Sequence, residues 1–212
     1  MNAFVLIFLL SLNGVQAACL PDSSLTKSFL GIQMDIKGIE AATATFESSI
    51  LQEIPSDHDL IIKLEAHNPR VNAEITKADR TIVLSVWGGM MGHPLMNPDT
   101  FLLLLCHEMG HVLGGPPLKS RTGWSSTEGQ ADYYSGQCVR ALGMEETAFL
   151  EGALNLSKIY AQVTNQPEPD YSRCDESTVS RTNYGYPQVQ CRLDSIIAGW
   201  KGAARPGCWF FQ

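Results

Sequence analysis

Residues 97–117 spell out one helix almost completely, and no other stretch of the chain limits the fold as much. Asn97 is a good N-cap, Pro98 suits the first helical position, and Asp99 puts a negative charge in the first turn. Residues 101–113 then read as a strongly apolar helix. Gly114-Gly115-Pro116-Pro117 ends it, because Gly accepts the left-handed cap and Pro cannot continue a helix. Set into this apolar stretch are His107, Glu108 and His111. Residues four apart share a helix face one turn apart, so the two imidazoles project together.

That spacing is the one a metal ion needs. Two such imidazoles can share a Zn²⁺ at about 2.0–2.1 Å. Glu108, one residue after the first ligand, can reach a water at the metal rather than the metal itself. A metal lowers the pKa of such a water to about 7, and the carboxylate can take its proton during attack on a polarised carbonyl. A catalytic site also needs a third protein ligand and an open position. Residues 125–127 can cap a second helix over residues 128–142, and Glu128 in its first turn is the best candidate for that ligand. Asp132 lies four residues further on the same face. If the two helices pack together, Glu128 completes the site and Asp132 accepts a hydrogen bond from the far ring nitrogen of His107.

The rest of the chain supplies a setting for this pair. Its 212 residues, 44% apolar and 17% charged, suffice for one domain with a real core and not for two. The formal charge of −7 argues against nucleic acid as a partner. Residues 36–51 have helical spacing, residues 60–64 and 71–76 are β-like, and Thr81–Trp87 is the strongest strand. Gly88-Gly89 breaks that strand and opens a loop through Gly92-His93-Pro94. Further helices are expected at residues 145–163 and 189–200, joined by an irregular connection rich in Pro, Asn and Tyr.

Residues 1–17 resemble a signal peptide, with an apolar run over residues 3–12 and a small-residue cleavage pattern at Val15-Gln16-Ala17, although Lys and Arg are absent before that run. The mature domain then spans residues 18–212. Cys19 could carry a lipid, but Gln16 stands where a lipoprotein signal favours Leu, so export without an anchor is the preferred expectation. No other segment is long and apolar enough to be transmembrane. Six cysteines without a Cys-x-x-Cys pair fit structural disulfides in an oxidising compartment, and Cys191–Cys208 and Cys138–Cys174 are the pairings suggested.

His107-Glu108-x-x-His111 followed by Glu128-x-x-x-Asp132 resembles the gluzincin metallopeptidases. The Glu-Gly-Gln-Ala-Asp-Tyr wording at residues 128–133 is similar to the CAAX prenyl-protease class, without its membrane helices. Residues 83–140 resemble small exported bacterial proteins grouped as metalloproteases, through Trp87-Gly88-Gly89, Gly92-His93-Pro94, Cys106-His107-Glu108 and Gly114-Gly115. Cys191-Arg192-Leu193-Asp194 belongs to the same likeness. The resemblance implies an α+β, zincin-like fold, with Thr81–Trp87 as the substrate-aligning edge of a small sheet and a mostly helical C-terminal half.

Other polar residues carry weaker signals. His93 and Tyr133 could bind substrate or an oxyanion, as could Tyr134, Tyr184 and Tyr186, but packing or loop roles fit each better. Cys106 points off the metal face and reads as a buried thiol or a disulfide. The expectation is an exported zinc metallopeptidase with a peptide or protein substrate, one Zn²⁺ on His107, His111 and Glu128, and Glu108 as base then acid. Its rivals are a secreted zinc-binding protein without turnover and a zinc hydrolase of a non-peptide amide.

Overall fold

The computed structural model describes residues 16–18 and 36–211. Residues 1–17, expected to be a signal peptide, and Cys19 therefore lie outside the described residues, apart from the backbone of Gln16 and Ala17. The chain is a mixed α+β protein in which a small mixed sheet lies against a helical body.

Four strands and six helices follow in the order β1 (Gln16–Ala18), α1 (Ile36–Ile50), β2 (Asp59–Glu65), β3 (Ala73–Ala78), β4 (Thr81–Trp87), α2 (Gly88–Met91), α3 (Pro98–Leu113), α4 (Glu128–Ala141), α5 (Glu146–Thr164) and α6 (Val189–Lys201). β3 and β4 form an antiparallel hairpin closed at Asp79-Arg80, where Asp79 takes φ 50°, a conformation its short polar side chain tolerates. β2 adds in parallel to the far side of β4, with Ile62 opposite Leu84. The strand order is thus β1-β3-β4-β2. This corrects one expectation: Thr81–Trp87 is an inner strand, bonded on both sides, and not an edge. Its burial pattern explains the placement, since Val86 is fully buried and even Ser85 is 6% exposed.

α3 is the centre of the molecule. Every residue from Thr100 to His111 is buried, and Phe101, Leu103, Leu104 and Leu105 are wholly removed from solvent. Each such side chain stabilises the fold by about 1.5–3 kcal/mol relative to its exposed state. The helix starts as its sequence dictates, with Asn97 Oδ1 accepting from the Thr100 N–H at 2.8 Å. It packs on α1 through Phe46 and Ile50, on α5, on the β3 face of the sheet and, most closely, on α4. Gly110 makes that last contact possible, because a Cβ there would stand 2.8 Å from the Ala131 carbonyl oxygen.

Gly88 and Gly89 do not form an open loop. They begin the single turn α2, where a Cβ on either would strike the backbone carbonyls of Ala66 or Pro69.

Two disulfides tie the helical body. Cys191–Cys208 forms as expected. Cys138, however, pairs with Cys106 rather than Cys174, because Cys106 on α3 and Cys138 on α4 face each other across the helix interface, with Cα atoms 5.9 Å apart. Cys174 is an exposed free thiol.

Candidate metal centre

Three side chains from two helices converge at the α3–α4 crossing. The ligand-capable atoms of His107, His111 and Glu128 all lie within 4.8 Å of one another, and all three residues are fully buried. His107 Nε2 is 3.5 Å from Glu128 Oε2, and His111 Nε2 is 3.5 Å from Glu128 Oε1.

The far sides of both rings show why these nitrogens suit a cation. His107 Nδ1 is 2.9 Å from Asp132 Oδ1 and donates its hydrogen there. His111 Nδ1 donates to the Ser126 carbonyl oxygen at 2.8 Å. With its ring hydrogen spent on Nδ1, the neutral His111 ring turns its Nε2 lone pair toward Glu128 Oε1, and His107 Nε2 meets the other oxygen of the same carboxylate. Two acceptors facing each other inside a protein repel unless a cation lies between them. His111 Nε2 is indeed a buried polar atom with no hydrogen bond. The donor set therefore fits a metal ion, and the group could hold one.

Electrostatics favour the neutral form of His111 and the ionised form of Glu128, the forms that can bind a metal. Burial holds the His111 imidazole down at about 3, well below the ordinary histidine range, with Glu128 opposing and His107 and Lys119 assisting. It is therefore neutral at physiological pH. Burial alone would raise the Glu128 carboxyl, but His111, His107, Lys119 and Arg192 outweigh it and hold it below the usual range. For Asp132 the same burial is outweighed first by Arg192 and then by His107.

Two cations in this site were not assigned roles from the sequence. Arg192 on α6 is 2% exposed. Its Nε donates to Asp132 Oδ2 at 2.8 Å and a terminal nitrogen to Oδ1 at 2.9 Å, in the paired geometry that fixes a carboxylate's orientation. The same guanidinium lies 3.6 Å from Glu128 Oε2 and 4.0 Å above the Tyr160 ring. Lys119, in the loop between α3 and α4, donates from Nζ to Glu128 Oε1 at 2.7 Å. The readable signal for Arg192 was a charged residue among Val189, Cys191, Leu193 and Ile196, which bury their side of α6. Lys119 gave no such signal, since a lysine in a polar loop is ordinarily solvated.

The remaining candidates have other partners. Glu108 is buried beside His107 on α3. His93 is 2% exposed, accepts from the Leu95 N–H at Nδ1 and meets Gln162 through its side chain. Tyr133 donates its hydroxyl to the Ala203 carbonyl oxygen at 2.7 Å, and Tyr134 donates to Glu53. Cys106 is committed to its disulfide. Among the described residues, no helix is long and apolar enough to cross a membrane. One further grouping, Asp175 with Cys191 and Cys208, offers no thiolate because its two sulfurs are bonded to each other.

Compared with protein-family models, with curated proteins and with solved structures, the chain matches none. The site therefore stands on its own geometry.

Proposed function

We propose that this chain is a zinc-dependent peptidase of zincin-like design, acting outside the cytoplasm. The observation that carries the reading is the convergence of two imidazoles and one carboxylate, with ligand-capable atoms all within 4.8 Å of one another and all three residues buried. A His₂Glu set suits catalytic zinc when a fourth position is left for water or substrate. When bound, zinc supplies a Lewis acid that polarises a carbonyl and acidifies a water.

The chain's own residues do the rest. Glu108 accepts the proton of the attacking water and returns it to the leaving amine. Asp132 holds the His107 ring with Nε2 aimed inward, and Arg192 holds Asp132. The peptide backbone would add at the β3 edge of the sheet. α3 packs against β3 and β1, and β1 pairs antiparallel with β3, with Gln16 opposite Thr76 and Ala17 opposite Ile75. Cleavage after Ala17 would remove two of the three residues of β1 and leave the β3 edge open to an extended segment.

One observation favours a second reading. His107, Glu108, His111 and Glu128 are each 0% exposed, as in a closed structural site without turnover. One experiment separates the two. The purified protein should carry about one zinc per chain and cleave a broad peptide library in a chelator-sensitive way. Glu108→Gln should keep the zinc and lose cleavage by at least about a hundredfold. Glu128→Ala should lose the metal. Cleavage by Glu108→Gln at the wild-type rate would overturn the mechanism, and one zinc per chain with no cleavage would favour the binding protein.

A further inference from the structure

The two cations on Glu128 differ in position, and the difference carries a role. Arg192 touches Oε2 from the interior and its side chain is only 3% exposed. Lys119 touches Oε1, and its side chain is 23% exposed, against 0–1% for His107, His111 and Glu128. Lys119 is thus more exposed than Arg192, the other cation at Glu128, and on the peptidase reading it marks the side from which a substrate would approach.

Its backbone is held there. The Lys119 N–H donates to Ser125 O at 2.7 Å, the Thr127 N–H donates to Pro117 O at 2.9 Å, and Leu118 forms a β-bridge with Ser126. The same short ladder carries the Ser126 carbonyl that fixes the His111 ring. The backbone of Lys119 is thus held, and the bond from Nζ to Glu128 Oε1 positions the ammonium, as a preorganised donor requires.

We infer that Lys119 is a catalytic residue whose ammonium stabilises the oxyanion that develops on the substrate carbonyl. This rests on the peptidase reading. As the water oxygen bonds to the carbonyl carbon, the C=O π pair moves onto the carbonyl oxygen, while Glu108 holds the proton released by the water. Lys119 donates a hydrogen bond to that oxygen and keeps its own proton. When the C–N bond breaks, its electron pair leaves with nitrogen, nitrogen takes the proton from Glu108, and the oxygen's pair re-forms the carbonyl. A Lys ammonium has three donors, so the bond to Glu128 leaves two for this task. Oxyanion donors of this kind are worth about 10²–10³ in rate.

The test uses the full chain loaded with Co²⁺, with inorganic phosphate as a tetrahedral anion read through the cobalt visible bands and imidazole as a neutral competitor. Lys119→Met should retain cobalt and bind imidazole as wild type does, but bind phosphate about 10- to 100-fold more weakly. Lys119→Arg should recover most of that loss. Cleavage by the zinc form of Lys119→Met should fall in kcat with KM little changed. Equal phosphate affinity in Lys119→Met and wild type would overturn the inference, as would loss of cobalt from Lys119→Met, which would make Lys119 a support for Glu128 alone. A wild-type protein that takes up cobalt but gives no phosphate response would also overturn it, with the metal site left standing. Failure of the wild type to take up cobalt would instead remove the metal reading on which it depends.

Discussion

His93 shows how differently one residue reads at the two levels. In sequence it is a histidine in a Gly- and Pro-marked loop, open to a substrate role. In the structure it is buried, and its Nδ1 receives the Leu95 N–H that shapes the turn into α3. Burial lowers its pKa to about 4, with the Gln162 contact opposing. An unfolded chain takes up this proton near the ordinary value of 6.5, whereas the folded chain resists until about 4. Folding stability is therefore lost as pH falls through that interval and retained above it. His93→Asn keeps an acceptor for Leu95 and removes the titration. Its melting temperature should decline less between those two pH values than that of the wild type, and an unchanged slope would show that His93 is not responsible. The ligand residues were legible because a fixed i, i+4 spacing translates directly into a shared helix face. Arg192 and Lys119 reach the site across 64 and 9 residues of chain from Glu128, and local pattern carries no record of such contacts.

At the scale of elements, the agreement follows the strength of the local signals. α3 begins at the residue its cap predicts, β4 spans Thr81–Trp87 as read, and α4, α5 and α6 lie within about two residues of expectation. What local pattern could not supply was the order of strands. The composition of Thr81–Trp87 marks it as a strand, but its neighbours β2 and β3 are chosen by the whole packing. The α3–α4 crossing is similarly non-local, and Gly110 is the position that reports on it. Gly110→Ala would set a methyl 2.8 Å from the Ala131 carbonyl oxygen and 2.9 Å from its Cα, both backbone atoms. The helices would have to separate, at a cost of about 1–3 kcal/mol by the usual measure of overpacking. Because the ligands lie on both sides of that crossing, the variant should also hold metal more weakly. Denaturant midpoints and competition with a chelator would measure the two effects, and a variant as stable as wild type would show that the crossing is loose.

Across the whole molecule, the Cys106–Cys138 disulfide joins the same two helices. Cys106 adjoins His107, and Cys138 lies on the helix that carries Glu128 and Asp132, so one covalent bond spans the halves of the ligand set. With a sequence separation of 32, it should contribute about 3–4 kcal/mol by restricting the unfolded chain. Cys106→Ser combined with Cys138→Ser should lower the melting temperature and speed the loss of zinc to a chelator. Unchanged values for both would mean that packing alone holds α3 to α4. The arrangement also sets an order of events for a chain that matures by oxidation. Before the sulfurs join, the histidines and Glu128 belong to helices held together by packing and by polar bonds such as His107–Asp132 and His111–Ser126. After they join, the same residues are confined to one another's neighbourhood. The bond thus ties assembly of the group to oxidation of the chain, and on the proposed reading the centre would be complete only once the two sulfurs have joined.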